Sequence, residues 1–319
     1  MATVAGTTHK SRILTDISQE VKVGSMQAER LFPPGRPVDK DSDEFVIYNA
    51  RDIDTLQGAN QDFWPDGGAT KQLELRHSTD TFVVQYYGLN DTITLRALDN
   101  QDPPIDLQVD AAQHLTGQLL LRREKRMLTV LGTAGNWGSV NLGSGAGWDS
   151  TDYATSDPLT DIKTALLTVW KAIGIRPNTI AMDPTGVEEL SRHPDILDLV
   201  HGTVLSIDED LLGKILRSKF RMELVVVDAI ENSANIAATA SRDFMWSDKC
   251  WIGYIEQNPG LHSITATKMF RRGFGSDVVP TDRWYDNDVR GWKVRPYMAY
   301  THKVVTAGAG YLIEDIIAP

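Results

Sequence analysis

The chain has 319 residues, of which 41% are hydrophobic and 24% charged, with a formal net charge of -11. Such a chain can form one large domain or two ordinary ones, and global disorder is excluded. The negative charge argues against a protein whose whole surface grips nucleic acid, although a local basic patch is compatible with it. The single cysteine, Cys250, rules out an intrachain disulfide framework and fits a reducing compartment.

The sequence contains neither a membrane-spanning run nor a signal peptide. No apolar run approaches the roughly 20 residues that a membrane span needs. The first residues, MATVAGTTHKSRILTDISQEV, contain no apolar signal-peptide core. We therefore expect a soluble protein that is made in a cytoplasm.

Residues 1–45 look poorly suited to a core. Their apolar residues are scattered, and Pro33, Pro34, Gly35 and Pro37 interrupt any regular element. Two interpretations stay open. The segment is either a disordered tail or an extended arm that becomes ordered against another subunit.

Residues 71–98 alternate between apolar and polar positions, with Leu73 and Leu75 on one face and Phe82 and Val84 continuing the period of two. This pattern predicts one long β-hairpin or two hairpins. The preceding loop contains Trp64-Pro65 and Gly67-Gly68. Loop and hairpin together are expected to form a protrusion rich in polar residues.

Residues 105–132 change to a helical period and predict a helix of roughly 40 Å. Its middle carries the charge run Arg122, Arg123, Glu124, Lys125 and Arg126. A run of this kind usually marks a solvated face. Gly132 is a plausible end for the helix.

The second half of the chain mixes helices and strands. Asp157 and Pro158 predict the start of a helix that ends at Gly174. The stretch PNTIAMDPTGVEELSRHPDI, residues 177–196, predicts a strand, a turn at Asp183-Pro184, and a helix capped by Thr185 that ends before Pro194. A helix near 207–218 and strands at 222–230, 243–255 and 263–270 follow, and the C-terminal strands turn at Gly308–Gly310. The fold class is therefore α+β with a mixed sheet.

Catalytic and ligand-binding motifs give little support to an enzyme. GSGAG (143–147) has no nearby lysine and no following helix, so it is interpreted as a connector. DKDSDEF (39–45) lacks the glycine of a calcium loop. The histidines, including His193 and His201, have no zinc-site spacing and are interpreted as surface residues. Cys250 in an apolar strand is interpreted as an inert thiol. We predict no catalytic residue, metal or cofactor.

Basic residues cluster with aromatic ones near the C-terminus. Arg271 and Arg272 are followed by a stretch that holds Arg283, Trp284, Arg290, Trp292, Lys293 and Arg295. This combination occurs at nucleic-acid surfaces and at protein interfaces, where Trp, Tyr and Arg dominate binding. Aspartates in the same stretch weaken the attraction for phosphate, so a protein interface is favoured.

Several phrases, in order, resemble the major capsid proteins of tailed bacteriophages, which have the Hong Kong 97 fold. They are YYGLNDTITL running into PPIDLQVDAAQHLTGQLLLRREKRMLTVL, then GWDSTDYATSDPLTDI, and then PNTIAMDPTGVEELSRHPDI. The family has a Trp-Asp phrase before a D-P-x-x-D-I helix, followed by an N-T-x-x-x-x-P…L…H-P unit. The resemblance covers roughly residues 45–319.

The resemblance implies a layout for the α+β fold. It places an N-terminal arm at 1–45, an extended-loop (E-loop) β-hairpin region at 46–100, a peripheral domain with its long spine helix at 101–174, an axial domain at 175–270, and C-terminal strands that return to the peripheral domain at 271–319. Some members begin with a long scaffolding segment that is cleaved off. Because only residues 1–45 precede the β region here, we expect a separate scaffolding protein or a trimmed chain.

The resemblance also implies a role as a structural subunit, not an enzyme. Such subunits assemble with themselves, as pentamers and hexamers, into the icosahedral capsid of a virion, which forms in the host cytoplasm and encloses double-stranded DNA. The implied partners are scaffolding, portal and decoration proteins and, through non-specific contacts, the packaged DNA; no membrane is implied.

Two alternatives stay open: an encapsulin-like shell around protein cargo, and a soluble α+β enzyme with an unrecognised site. For the capsid interpretation, the candidate subunit-interface residues are tryptophans and charged side chains of the loop, the long helix and the C-terminal region: Trp64, Lys71, Arg76, Arg122, Arg123, Glu124, Arg126, Arg271, Arg272, Arg283, Trp284 and Trp292.

Overall fold

The computed structural model describes residues 9–10, 26–48, 62–64, 66–70, 77–101, 106–143, 145–149, 153, 155–200, 207–232, 242–260, 263–273 and 279–317. The helices in these ranges are α1 (Ala28–Leu31), α2 (Leu95–Asp99), α3 (Leu107–Leu131), α4 (Pro158–Ile173), α5 (Pro184–Arg192), α6 (Pro194–Leu199) and α7 (Glu209–Phe220). Among the described residues, no helix is both long enough and apolar enough to cross a bilayer.

The strands form two large sheets and two small ones. Their bounds are β1 (His9–Lys10), β2 (Ser42–Tyr48), β3 (His77–Val83), β4 (Gln85–Gly88), β5 (Asp91–Thr94), β6 (Gly138–Asn141), β7 (Thr179–Met182), β8 (Glu223–Val226), β9 (Ile230–Asn232), β10 (Arg242–Phe244), β11 (Lys249–Gly253), β12 (Thr267–Arg271), β13 (Thr281–Asp286), β14 (Gly291–Val304) and β15 (Gly310–Glu314).

The first large sheet is built around the long strand β14, which pairs with β13, β12, β4 and β5, while β1 pairs with β13. The second has the order β6-β15-β11-β7-β8 and is mixed, because the outer pairs β15–β6 and β7–β8 are parallel. Both faces of this second sheet are covered. Along β11, Trp251 packs into one hydrophobic cluster, whereas Cys250 and Ile252 pack into another.

Helix α3 confirms the predicted long helix at 105–132. It starts where the Asp106 carboxylate accepts the backbone N–H groups of Gln108 at 3.0 Å and Val109 at 3.3 Å, a side-chain cap of the expected kind. It ends before Gly132 after 25 residues. Its apolar face, including Met127 and Leu131, is fully buried.

The N-terminal segment is part of the core, so the expectation that residues 1–45 suit no core is wrong for its described part. Ala28, Leu31 and Phe32 are fully buried in the largest hydrophobic cluster. The short helix α1 packs Ala28 and Leu31 against α3, and Phe32 follows directly after it. The prolines that follow then keep the chain extended beside β12, where Gly35 donates its N–H to Met269 O and Val38 donates to Arg271 O.

The predicted hairpin at 71–98 is wrong in its pairing. Strand β3 pairs with β2, which lies earlier in the chain, while β4 and β5 join β14 in the first large sheet. Residues 95–99 form helix α2, because Thr94 accepts the N–H of Ala97 and caps a turn. Leu73 and Leu75 lie outside the described residues.

The stretch at 177–196 forms the predicted strand, turn and helix. Strand β7 is fully buried and leads into α5. The helix cap is Asp183 with Pro184 at the first helical position, not Thr185. Pro194 opens α6 as well as following α5, because proline needs no intrahelical donor at a helix start. The later predicted helix is α7, and the predicted strands correspond to β8–β12 with shorter bounds.

Candidate assembly surfaces

The β2–β3 pair is fixed to β12 by aromatic packing. Phe82 of β3 stacks on Phe270 of β12 with ring centroids 4.3 Å apart, and Phe45 of β2 lies 5.1 Å from the same ring. With Val84, Ala299 and Val305 these rings form a separate small hydrophobic cluster. The β2–β3 pair is therefore anchored to β12 and β14 by a packed aromatic cluster.

Polar contacts at Asp41 strengthen this anchor. The Asp41 carboxylate pairs with Arg272 and accepts the Tyr86 hydroxyl at 3.0 Å. The hydrogen bond from Arg272 is the main reason that the pKa of Asp41 is held below its usual range. Arg272, one of the candidate interface residues, thus already has a partner within its own chain.

The short described segment 62–64, between β2 and β3 in the sequence, exposes two aromatic rings. Phe63 is 72% exposed and Trp64 is 65% exposed, although the Trp64 indole N–H is bonded to the Gly68 carbonyl. Large aromatic side chains left this open are characteristic of surfaces that another molecule covers. Lys71 and Arg76, the other candidate residues of this region, lie outside the described residues.

The charge run of α3 is not a solvated face, and this prediction is wrong for its centre. Arg123 and Glu124 are buried, at 6% and 0% exposure. Arg123 pairs with Glu29 at 2.9 Å, and Glu124 accepts the backbone N–H groups of Gln27 at 2.8 Å and Ala28 at 2.9 Å. Burial raises the pKa of Glu124, against the effect of these hydrogen bonds. The two side chains hold the N-terminal segment of their own subunit.

Arg126 is also engaged within the chain. Its guanidinium donates to the Tyr300 hydroxyl at 2.9 Å and lies 3.7 Å from the centre of the Tyr87 ring, a cation–π contact. The long helix therefore uses Arg126 to hold strands β14 and β4 of the first large sheet.

Arg122 belongs to a groove between α3 and the β9–β10 hairpin. The groove has a volume of about 650 Å³. It is lined by Gln118, Leu121, Arg122, Lys125, Ile230, Glu231, Arg242 and Met245. Lys125 forms an ion pair with Glu231 across it. The walls combine exposed apolar surface, with Ile230 51% exposed, and an excess of cationic side chains.

The C-terminal cluster of basic and aromatic residues is a ladder across β13 and β14. On one face, Arg295 pairs with Asp282 at 2.8 Å and Lys293 pairs with Asp286 at 2.5 Å, with Trp284 between them in the strand register. The carboxylates thus neutralise these cations, as the sequence suggested, and phosphate attraction is reduced on this face.

The opposite face of the same ladder carries Arg283 and Trp292. The Arg283 guanidinium lies 4.0 Å from the centre of the Trp292 ring, and Tyr285 packs edge-on against that ring at 5.4 Å. Arg283, Trp284 and Trp292 are half-buried. Arg271, at the end of β12, is also half-buried. Each keeps some surface that a neighbouring molecule can contact.

Ser156, His193 and Asp195 have the composition of a hydrolase triad, so their geometry tests the enzyme alternative. Ser156 Oγ lies 2.9 Å from His193 Nε2, and Asp195 Oδ2 lies 3.6 Å from His193 Nδ1. However, the Asp195 backbone N–H donates to Nδ1 at 3.2 Å. In the neutral ring the proton is then on Nε2 and is donated to Ser156, whereas a general base must accept the serine proton.

His193 is therefore a structural residue that caps α6 and contacts Tyr153 and Ser156. It is fully buried, so the interpretation as a surface histidine is wrong. Burial lowers its pKa, which favours the neutral ring that the cap requires. His201 lies outside the described residues. Cys250 is fully buried, in agreement with an inert thiol, and burial raises its pKa.

Sequence reasoning missed the residues that act across long chain separations. Asp41 and its partner Arg272 are 231 positions apart, and no local pattern links them. The β9–β10 wall of the groove was included in longer predicted strands. His302, which packs against the buried Phe32, was interpreted with the other histidines as a surface residue.

Comparison with known proteins identifies the family. The model of the family described as phage capsid protein matches residues 78–309. A major capsid protein of Pseudomonas phage JBD67 is 26% identical over 229 residues, which cover 70% of this chain and 69% of that protein.

Solved structures share the fold. A phage-related protein from Bordetella bronchiseptica RB50 has a TM-score of 0.74 at 21% identity, covering 98% of this chain and 99% of that one. The capsid of Cyanophage P-SCSP1u has a TM-score of 0.60 at 11% identity, covering 98% and 92%. An encapsulin from Synechococcus elongatus PCC 7942 has a TM-score of 0.53 at 13% identity, covering 99% and 92%.

The family match spans most of the chain, and the α+β architecture is that of phage capsids, so the predicted fold class is confirmed. The chain belongs to the phage capsid protein family, has the Hong Kong 97-like fold, and is a major capsid protein, a subunit of a capsid shell.

Proposed function

We propose that this capsid subunit assembles with copies of itself, as pentamers and hexamers, into the icosahedral shell of a tailed bacteriophage that encloses double-stranded DNA. The observation that carries the assembly part is the β2–β3 region, which the sequence predicts to protrude. It is anchored at Phe82 and Phe270 and has exposed aromatic side chains at Phe63 and Trp64. Exposed rings on a protruding element gain burial against another subunit.

We propose the layout implied by the resemblance. Residues 1–45 are the N-terminal arm, 46–100 the E-loop region, 101–174 the peripheral domain with α3 as its spine, 175–270 the axial domain, and 271–319 the returning strands. The position of α3 against β14 supports grouping the spine with the C-terminal strands. The pairing of β2 with β3 supports moving the start of the E-loop hairpin a few residues earlier, to Ser42.

The proposed subunit-interface residues are those with exposed or half-buried side chains: Trp64, Arg122, Arg126, Arg271, Arg272, Arg283, Trp284 and Trp292, together with Lys71 and Arg76. Arg123 and Glu124 are left out, because they are buried and bonded within their own chain. Trp and Arg anchors of this kind supply much of the binding energy at protein interfaces.

Further partners follow from the same proposal. Scaffolding, portal and decoration proteins are expected during assembly, in the host cytoplasm, and the mature location is the virion. The net charge of -11 supports a shell that contacts packaged DNA only weakly and non-specifically. The role is structural. The neutral His193 ring carries its proton on Nε2 and donates it to Ser156, and this tautomer argues against hydrolysis at Ser156.

The experiment is assembly of the full chain, followed by negative-stain electron microscopy and sedimentation velocity, alone and with its scaffolding protein. We expect shells or five- and six-fold rings. The double variant Phe63→Ser/Trp64→Ser should remain a folded but unassembled subunit. Trp170→Ser is the matched control, since Trp170 is a tryptophan that is 42% exposed on a different element, α4. Monomers or dimers under every condition would overturn the proposal.

An encapsulin-like compartment is the second candidate, because an encapsulin shares the fold over almost the whole chain. The contents of particles from the natural host distinguish the two. Nuclease-protected double-stranded DNA supports the phage capsid. Particles that hold protein cargo and no DNA support the compartment.

A further inference from the structure

Residues 26–38, called the strap below, lie across the body of the subunit and are held at several points. Glu124 accepts the N–H groups at the start of α1, and the Thr267 hydroxyl is bonded to the Leu31 carbonyl. The remainder runs along the open edge of β12, where Met269 donates to Pro33 O at 3.1 Å and Val38 donates to Arg271 O at 2.9 Å. The strap thus closes a sheet edge that would otherwise be exposed.

The strap covers a buried histidine. The Phe32 ring, fully buried, packs edge-on against His302 at 5.0 Å, and Tyr300 lies at 5.1 Å on the same strand. His302 is 9% exposed, and no described residue forms a hydrogen bond with its Nε2. Arg123 and Arg126 of α3 approach the same ring closely enough to act on its charge. Among the residues that the structure describes, the charges that act on His302 are thus the cations Arg123 and Arg126, and no carboxylate is one of them.

We infer that the strap is an acid-released closure and that His302, beneath Phe32, is the group that takes up the proton. A protonated ring in this position is desolvated, has no acceptor at Nε2 among the described residues, and is repelled by the guanidinium groups of Arg123 and Arg126. When the strap opens, water reaches the ring and can solvate the charge. This inference concerns the single subunit and does not depend on shell assembly.

The direction of the pH effect follows from proton linkage. Burial, followed by repulsion from Arg123 and Arg126, lowers the pKa of His302 to about 3 while the strap is closed. An exposed histidine has a pKa of about 6.5. The open form therefore binds a proton more tightly, and opening becomes more favourable as pH falls from about 6.5 towards 3, by up to about tenfold per pH unit for one proton.

Other ionisable groups at the strap must be separated from His302. Glu124 has the opposite effect, because its pKa is raised in the closed state, so proton uptake there favours closure. Asp228 lies close enough to Glu124 to raise that pKa further, and Glu29 is paired with Arg123. The hydrogen bond from Arg272 lowers the pKa of Asp41, next to the strap, so this group does not account for proton uptake between pH 6.5 and 5.0. A His302 variant leaves all of these groups in place.

The test is hydrogen exchange of the full chain, read by mass spectrometry in peptides from 28–38 and corrected for the intrinsic rate at each pH. Strands β11 and β15 report global unfolding. In the native chain we expect strap protection to fall about fifteenfold between pH 6.5 and 5.0, because the open form gains up to one proton on His302 as the pH falls below its pKa of about 6.5. Strands β11 and β15 should stay protected. His302→Phe keeps an aromatic ring against Phe32 and should make strap protection almost independent of pH.

The matched control is His114→Phe, since His114 is exposed on α3; it should retain the pH dependence of the native chain. If His302→Phe folds poorly, His302→Leu provides the same non-titrating test. The inference is overturned if the His302 variant opens with the same pH dependence as the native chain. It is also overturned if the strap loses protection only together with β11 and β15.

Discussion

The backbone N–H of Ala28 donates to Glu124 Oε2 at 2.9 Å, across 96 positions of the chain, and both residues are fully buried. The other carboxylate oxygen accepts the N–H of Gln27. Gln27, at the cap position of α1, provides no side-chain cap of its own. A side chain of the long helix thus supplies the cap of a different helix, which joins the N-terminal segment to the core.

Replacing Glu124 by Ala should lower the free energy of unfolding by about 2–4 kcal/mol, because it removes the acceptor of the buried Ala28 N–H and of the half-buried Gln27 N–H. Glu124→Gln should cost less, since it keeps one oxygen acceptor and removes a charge that burial disfavours. The measurement is urea unfolding of the full chain at pH 7. The control, Lys125→Ala, removes a side chain that is 57% exposed and should change stability by less than about 1 kcal/mol. Equal effects of Glu124→Ala and Lys125→Ala would contradict this account.

The pH dependence of the Glu124 effect has a defined sign. Burial raises the folded-state pKa of this carboxyl above its ordinary value of 4.5. Its contribution is therefore fully present below pH 4.5 and decreases as pH rises through the folded-state pKa. Unfolding curves of the native chain and Glu124→Ala should differ more at pH 4.5 than at pH 7. A difference that grows with rising pH would show that the carboxylate is favoured, not penalised, by its surroundings.

Gly310, the first residue of β15, has no room for a side chain, because two tryptophans pack against it. A Cβ there would lie 2.4 Å from Trp137 Cε3 and 2.9 Å from Trp251 Nε1. These indoles pack edge to face with centroids 5.5 Å apart, so neither can move without disturbing the core. Gly310→Ala should cost about 1–3 kcal/mol, the usual range for overpacking.

The melting temperature of Gly310→Ala should be compared with that of an alanine variant at a glycine that has free space around it. A Cβ added at Gly135 would have no atom of the described residues within 4 Å, and the backbone there is not left-handed. Gly135→Ala is therefore the matched control. It should leave the melting temperature almost unchanged. A Gly310→Ala protein as stable as the Gly135→Ala protein would mean that the two tryptophans repack without cost.

Local features of this fold could be predicted from sequence, and long-range ones could not. Helix α3 and the β7–α5 unit are encoded by nearby residues, namely the Asp106 cap and the Asp183-Pro184 turn. The family resemblance was also present in local phrases. By contrast, the pairing of β3 with β2 depends on Phe82 meeting Phe270 of a distant strand. A periodic pattern identifies a strand but not its partner.

The candidate interface residues show the same difference between features that the sequence predicts locally and contacts that it does not reveal. The exposed Trp64 and the half-buried Arg283 and Trp292 were named from residue type alone. Arg123 and Glu124 were assigned to a surface because charged residues are rarely buried. Their burial follows from partners in the N-terminal segment, at Glu29, Gln27 and Ala28, and no signal within the helix reveals such partners.

His193 should be a stability residue and not a catalytic one. His193→Ala removes the α6 cap and the bond to Ser156 and leaves a cavity, so we expect a loss of about 2–3 kcal/mol. His193→Asn retains a capping acceptor and should lose less. Urea unfolding gives both values, with His114→Ala, at an exposed site, as the control. Hydrolysis of an activated ester that disappears in Ser156→Ala would contradict the structural role.

Cys250 should react with thiol reagents only when the subunit unfolds. Its side chain is fully buried between β7 and β15, and burial raises the pKa of the thiol, so the reactive thiolate is scarce as well as inaccessible. In a disulfide-exchange assay the native chain should react at least about a hundredfold more slowly than the urea-unfolded chain. Ser139→Cys, which places a thiol on the exposed strand β6, should add one rapidly reacting equivalent and leave Cys250 slow. Rapid labelling of Cys250 in the folded chain would show that the β7–β11–β15 sheet opens without global unfolding, in conflict with the closed packing on both of its faces.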